Sequence, residues 1–381
     1  MKKNAKVIIS GAGIAGLTCA IWLGKNGFKP IIIEKSPTIR AHGFIVSLSH
    51  KSFRFAKELG LLNKLIDRGA GIKESCYCDK NNRPMLTLDY QRLFDGLDIV
   101  QIMRDELEMV LYEEAKELCE FRFGNSLTNV VQNEGKIDVE LKDGSAETCD
   151  VLIGADGLHS VTRFLVFEES EIEKKYFGIF SSAYRLDNVL GLQNRFENHM
   201  EQNRYMCVYT TGEGDLACVF IWKSDKKEAP PEGERLSMIA EAYKGCPNTV
   251  QQVINNHPGD ENIYIDPLIQ IRMNKWHKGN VVLLGDAAHC LTLLSGQGAS
   301  TAFWDASVLA RSLINNSPEV AFQEYQKEIM PVTKKIQLAT RNASKWYIPE
   351  RKVSYYSRDF MMKFLPNIFF QKYFRNKYSS A

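Results

Sequence analysis

The 381-residue sequence predicts an α/β fold in which a β-sheet region interrupts a unit built from strand–turn–helix motifs, with a helical segment after it. Three observations carry this. Lys6 to Ser10 is a short apolar run that enters a glycine-rich turn and then an Ala- and Leu-containing helix. Two later apolar runs, 149–153 and 281–284, each enter a turn that combines Gly with Asp. Past Pro331 the chain becomes basic and aromatic, and Pro349 and Pro366 divide it into helical pieces.

The composition bounds the function classes. A length of 381 accommodates two or three domains at roughly 150 residues each. Hydrophobic residues at 44% and charged residues at 25% are ordinary globular values, which excludes a disordered or fibrous chain. A net charge of +2 argues against a dedicated nucleic-acid binder, whose phosphate contacts need a marked basic excess. No apolar run reaches the roughly 18 residues of a spanning helix. The nine cysteines include no C-x-x-C pair, so no structural zinc site and no other metal site is expected, and an odd number of free thiols fits a reducing cytoplasm. Lys2-Lys3 and the following apolar stretch superficially resemble a signal peptide; three glycines interrupt it and no cleavage pattern follows Leu23.

The first motif is Gly11-Ala12-Gly13-Ile14-Ala15-Gly16, set between a strand and a helix. Gly11 permits a sharp turn, Gly13 lets the backbone approach a pyrophosphate, and Gly16 lets helix and strand pack closely. The helix N-terminus favours the phosphate charge. A second apolar run ends at Glu34, 18 residues beyond Gly16, where a carboxylate can accept both hydroxyls of an adenosine ribose; Lys35 follows it. Either NAD or FAD satisfies this fingerprint, because both carry an ADP half; a glycine-rich turn without a ligand is the plain alternative.

Two later motifs narrow the choice. The strand at 149–153 runs into Gly154-Ala155-Asp156-Gly157, with Ser160 placed to cap a short helix through Arg163. The strand Val281 to Leu284 runs into Gly285-Asp286-Ala287-Ala288-His289, followed by Ser295-Gly296-Gln297-Gly298-Ala299-Ser300 and a helix with Ala302, Phe303, Ala306, Leu309 and Leu313 on one face.

In this order and spacing the three motifs resemble the class A FAD-dependent monooxygenases of the p-hydroxybenzoate hydroxylase fold. The resemblance implies a Rossmann-like FAD-binding domain with an inserted β-sheet substrate domain and a C-terminal helical segment. It places the ADP half of FAD at Gly11, Gly13, Ala15, Gly16, Glu34 and Lys35. Asp156, Gly157 and Arg163 would meet the pyrophosphate region, Gly285 and Asp286 the ribityl chain, and Gly296, Gly298, Ala299 and Ser300 the ring. Arg40 and Gly43 stand where the family has an arginine near the flavin, and Arg104 matches its R-x-x-L position. The implied boundaries are 1–167 for the first part of the FAD-binding domain, with substrate-domain strands near 70–100. Residues 168–267 form the substrate domain, 268–330 the second FAD part and 331–381 the tail. Two departures stand out: the segment from Cys290 to Ser295 has none of the prolines the family carries there, and Ser300 replaces a common Asn.

In the middle region, Arg204 to Thr210 and Leu216 to Trp222 flank a glycine-containing loop, a hairpin signal. Tyr205, Cys207 and Tyr209 share one face by alternation, as do Phe220 and Trp222 on the partner strand. Tyr205, Phe220 and Trp222, with Arg185, are the candidates for touching substrate; a plain core face explains the same aromatics. From Lys334 onward there are eleven Lys or Arg and two acids, a net +9, together with Trp346, Tyr355, Phe360, Phe364, Phe369, Phe370 and Phe374. This tail either lies on anionic lipid or, the preferred reading, packs across both domains and closes the substrate pocket, as in the tetracycline-inactivating branch of the family.

The resemblance implies a cytoplasmic enzyme that consumes NADPH or NADH as a transient reductant. With dioxygen, it would hydroxylate an electron-rich aromatic or polycyclic enol through a flavin C4a-hydroperoxide. The segments 152–167 and 269–297 look most like the tetracycline-inactivating members. No catalytic base is assigned, and His159 and His289 read as structural. A flavin-binding scaffold without turnover, or a hydroxylase of a quinone or secondary-metabolite precursor, are the alternatives; the halogenase signature G-W-x-W-x-I-P is absent.

Overall fold

The computed structural model describes residues 1, 4–39 and 44–379. Its centre is a six-stranded sheet in the order His277–Lys278, Val281–Leu283, Val151–Gly154, Val7–Ser10, Ile31–Glu34, Glu120–Phe123. All neighbours are parallel except the first pair. Parallel strands are covered on both faces, so they read as continuous apolar runs. Side chains alternate between the two coverings: Val7, Ile9 and Ile32 face the helices Ile14–Lys25, Arg104–Ala115 and Gly298–Asn315. Ile8, Ile31 and Ile33 face a three-stranded antiparallel sheet made by Leu127–Asn133, Lys136–Leu141 and Ala146–Cys149.

A seven-stranded sheet follows the order Tyr264–Arg272, Glu173–Leu186, Leu216–Lys223, Arg204–Thr210, Arg195–Glu201, Glu74–Cys78, Pro84–Asp89. The hairpin of Arg204–Thr210 and Leu216–Lys223 forms, and two early strands, Glu74–Cys78 and Pro84–Asp89, join the same sheet. Ile99–Met103 does not join it, and pairs instead with Ile45–Ser49.

The register of the hairpin corrects one expectation. Tyr205 stands opposite Ile221, so Phe220 and Trp222, one residue out of phase, point to the other face. There they pack with Tyr243, Ile239 and Val253 beneath the helices Arg235–Ala242 and Asn248–Asn255. Phe220 is fully buried on that outer side. Tyr205, Cys207 and Tyr209 face inward, with Leu268, Leu294 and Ile348.

The tail is three helices, Pro318–Tyr347, Lys352–Phe364 and Asn367–Ser379, broken at 349 and 366 as expected. Pro331, however, marks no structural boundary. The 30-residue helix runs through it, although a proline inside a helix costs about 3 kcal/mol. Buried Ile329, Thr333, Gln337 and Thr340 hold the helix on both sides of the proline. Gln337 also donates through Nε2 to the carbonyl of Ile271 at 2.8 Å and accepts from Gln270 at 3.0 Å.

Candidate functional site

Ser10 lies opposite both Ile33 and Gly154, and Gly154 opposite Leu283. The parallel strands therefore end at one edge, and the turns that follow them open into the same crevice, the place where open α/β sheets bind ligands. A cavity of about 340 Å³ fills that crevice. Its walls include Gly11, Gly13 and Ala15 from the first turn, Glu34 and Lys35 from the second strand, and Arg104. Asp156 and Gly157 come from the Asp-Gly turn, and Asp286, Gly296, Gly298 and Ala299 from the last motif.

Sterics explain the first turn. Gly11 has φ +111°, and a Cβ there would sit 2.4 Å from the carbonyl oxygen of Ala155. A Cβ on Gly16 would sit 2.0 Å from the carbonyl oxygen of Gly11, so Gly16 packs behind the cavity rather than lining it. The helix that follows has no side-chain cap at Gly13 and no acid in its first turn. Its free N–H groups thus present partial positive charge to the cavity. Glu34 accepts from the backbone N–H of Ala12 at 2.8 Å and of Ser36 at 2.9 Å, which fixes its carboxylate at the wall.

The Asp-Gly and Gly-Asp turns brace each other. Asp156 accepts from the Ser160 hydroxyl and from the N–H and hydroxyl of Thr162, both at 2.9 Å. Arg163, expected at the pyrophosphate, lies behind the cavity. It is fully buried, and its guanidinium donates to the carbonyls of Ala287 at 2.8 Å and Leu158 at 2.5 Å. Burial lowers its pKa from the usual arginine value. Gly285 also stands behind the wall, its N–H donating to Asp305, which pairs with His289 at 2.7 Å. Asp286 alone of this pair reaches the cavity.

The helix Gly298–Asn315 also starts without a side-chain cap or an early acid, a second row of N–H donors without a side-chain partner. Ser300 does not line the cavity; its hydroxyl lies 2.6 Å from that of Ser52 and ties the helix to the strand Ile45–Ser49. Arg104 donates through Nε to Glu108 at 3.0 Å, and the Glu108 carboxylate raises its pKa further. Arg40 and Gly43 lie outside the described residues.

Of the proposed substrate contacts, none borders this cavity. Arg185 pairs with Asp105 at 2.9 Å and Glu213 at 3.2 Å. Tyr205 is buried and donates to Asn198 at 2.8 Å. Phe220 and Trp222 are on the outer face. Sequence reasoning missed Phe44, Ile45, Val46, Asn125, Tyr264, Asp266, Leu268 and Thr292, all of which contribute to the wall. Only Glu108, four residues after Arg104, carried a local signal. Burial pushes the Cys290 thiol up, so it does not ionise near neutrality.

A family model described as an FAD binding domain matches residues 4–338. The chain belongs to this family. It is an FAD-dependent monooxygenase: a flavin-dependent monooxygenase from an unknown prokaryotic organism is 31% identical over 343 residues, 87% of each chain. Another, from Legionella longbeachae serogroup 1 (strain NSW150), is 28% identical over 331 residues, 85% of each chain. Among solved structures, the tetracycline destructase Tet(55) superposes with a TM-score of 0.85 at 22% identity, covering 100% of this chain and 98% of the other. Klebsiella pneumoniae HpxO, solved with FAD and uric acid, gives 0.84 at 20%, covering 99% and 97%. These two likenesses are of fold.

The monooxygenase cavity fits FAD on its own chemistry. Two uncapped helix N-termini supply donors at separate points, suited to a pyrophosphate and to the negative charge of a reduced ring. Glu34 and Asp286, in the same cavity wall, supply acceptors for sugar-like hydroxyls.

Proposed function

We propose that this monooxygenase takes two electrons from NADPH or NADH and places one atom of dioxygen on an electron-rich aromatic or polycyclic enol, the other atom leaving as water. The observation that carries this reading is the cavity's mixed lining. Glycine turns, Glu34 and Asp156 share its wall with the apolar side chains of Phe44, Ile45, Val46, Leu268, Ile269 and Leu293. Bound FAD supplies the redox chemistry, accepting hydride and activating dioxygen. The chain's residues bind and orient. The N–H groups at Gly13 and Ile14 hold phosphate charge, Glu34 and Asp286 accept from hydroxyls, and the N–H groups at Gly298 and Ala299 stabilise charge that appears on reduction. The apolar walls keep water from the reacting atoms.

The tail supports an enclosed apolar wall. Trp346, Tyr347 and Ile348 join the apolar cluster that contains Leu293 and Leu294, beside the cavity. Nine free thiols, eight of them buried, support a cytoplasmic setting. Nicotinamide oxidation measured with a panel of substituted phenols and tetracyclines, with mass spectrometry for one added oxygen, tests the reading. A compound that accelerates oxidation and gains oxygen is the expected result. No acceleration by any member overturns the substrate class, and tetracyclines earn a place in the panel through the fold shared with Tet(55).

A further inference from the structure

The helix Lys352–Phe364 turns its side chains in two directions. Tyr355, Arg358, Asp359 and Met362 are buried, Met362 in the cluster under the seven-stranded sheet. Val353, Tyr356, Phe360 and Phe364 recur at spacings of three, four and four, which places them on one side of the helix. All four are between 60% and 79% exposed, and the rings of Phe360 and Phe364 lie 4.7 Å apart. Ile368 and Phe369, 67% and 60% exposed, add to this surface from the start of the last helix.

The charges on the same segment have one sign. Arg351, Lys352 and Lys372 are exposed, while Lys363 is held by Asp79 at 3.0 Å. Asp359 is the one acid from 351 to 379, and it is buried against Arg358 at 2.9 Å. Glu350, just before, is paired with Lys223 at 2.6 Å. Large apolar side chains rarely gather on a solvent face without a partner. A second copy related by a two-fold axis would bring this basic segment against itself. An anionic lipid surface instead neutralises Arg351, Lys352 and Lys372 and receives the aromatics at the level of the headgroups. No helix among the described residues is long and apolar enough to cross a membrane, so the segment would lie in the plane of the interface.

We propose that the outer face of the last two helices seats this monooxygenase on anionic lipid, with Val353, Tyr356, Phe360, Phe364, Ile368 and Phe369 inserted and Arg351 and Lys352 at the headgroups. The inner face packs on the protein at the same time, so the tail serves both roles.

The test is co-sedimentation of the full-length, FAD-loaded protein with vesicles of phosphatidylcholine alone or mixed with phosphatidylserine. Binding to the mixed vesicles, and not to phosphatidylcholine alone, is expected, weakening as salt screens the charges. Phe360→Ser with Phe364→Ser abolishes it, and Arg351→Glu with Lys352→Glu weakens it about tenfold or more. Retained FAD and an unchanged far-ultraviolet spectrum verify that each variant is folded; the charge variant, altered only at exposed positions, stands as the second arm. Protein that stays in the supernatant with mixed vesicles overturns the proposal. So does equal binding by the phenylalanine variant, or a wild-type dimer in sedimentation equilibrium that the same variant dissolves.

Discussion

Nε2 of His159 lies 2.8 Å from Oδ2 of Asp266, joining the Asp-Gly turn of the central sheet to an edge strand of the seven-stranded sheet. Both residues line the cavity, and His159, 64% exposed, sits at its rim. A pair this open contributes about 0–1 kcal/mol to stability. Its effect is on the relative placement of two walls of one cavity. His159→Ala is therefore expected to leave the urea midpoint of the apo-protein nearly unchanged while weakening FAD binding several-fold, read by fluorescence titration. A variant with wild-type FAD affinity would remove this role.

Gly16→Ala tests the packing of the first turn. The added methyl would meet the Gly11 carbonyl oxygen, a backbone atom that cannot turn aside, at 2.0 Å, so the helix Ile14–Lys25 must move away from its strand. Overpacking of this kind costs about 1–3 kcal/mol. The displaced helix also carries its N–H groups off the cavity, so FAD affinity falls together with the thermal midpoint.

The features that were legible in the sequence are those decided by a few neighbouring residues. The strand, glycine turn and helix at 6–23, the two Gly/Asp turns and the hairpin around 211–215 each follow from local sterics and alternation. What was not legible depends on distant segments. Whether Phe220 points to the cavity or away from it is decided by helices that arrive some twenty residues later, at Arg235–Ala242 and Asn248–Asn255. Arg163 turns inward because Ala287, 124 positions away, offers it a carbonyl. Asn125, Tyr264 and Leu268 reach the wall from turns and strands that carry no motif, and Pro331 is passed over because Gln337 anchors the helix beyond it.

Thr292 stands in the segment without prolines, with φ +71° and a buried hydroxyl that has no hydrogen-bond partner among the described residues. Proline is locked near −65° and cannot adopt that conformation. Thr292→Pro is expected to destabilise the fold by about 3 kcal/mol, measured by chemical denaturation. Thr292→Val keeps the shape and removes the hydroxyl, whose burial without a partner costs about 1–3 kcal/mol. That variant should make the apo-protein no less stable while shifting the absorption spectrum of bound FAD, since the hydroxyl's remaining neighbour is the cavity.

Glu197 predicts the acid side of the stability profile. Its hydrogen bond with His199 at 3.0 Å holds its pKa below the ordinary glutamate value of 4.5, against the opposing effect of burial. A carboxylate with a lowered folded pKa adds stability above the ordinary value and loses it as pH falls through the lowered one. Glu197→Gln should thus reduce the urea midpoint by a constant amount above about pH 5, with the gap to wild type closing below pH 4.5. A gap that widens on acidification would reverse the assignment.

The two faces of the hairpin make separable predictions. Phe220 packs against Tyr243 at 4.9 Å between ring centroids, on the side of the sheet away from the cavity. Phe220→Ala leaves a void there and costs about 3–5 kcal/mol. Its catalytic constants at a temperature where it remains folded should match those of wild type. Tyr205→Phe acts on the inner face, where the phenol donates to Asn198 at 2.8 Å and the ring lies 5.7 Å from that of Tyr347 in the tail. Losing that donor leaves the buried amide oxygen of Asn198 unpaired, at about 1–3 kcal/mol, and slackens the contact that holds the tail over the inner face. The smaller change in stability should therefore carry the larger change in KM, a reversal that a purely structural hairpin would not produce.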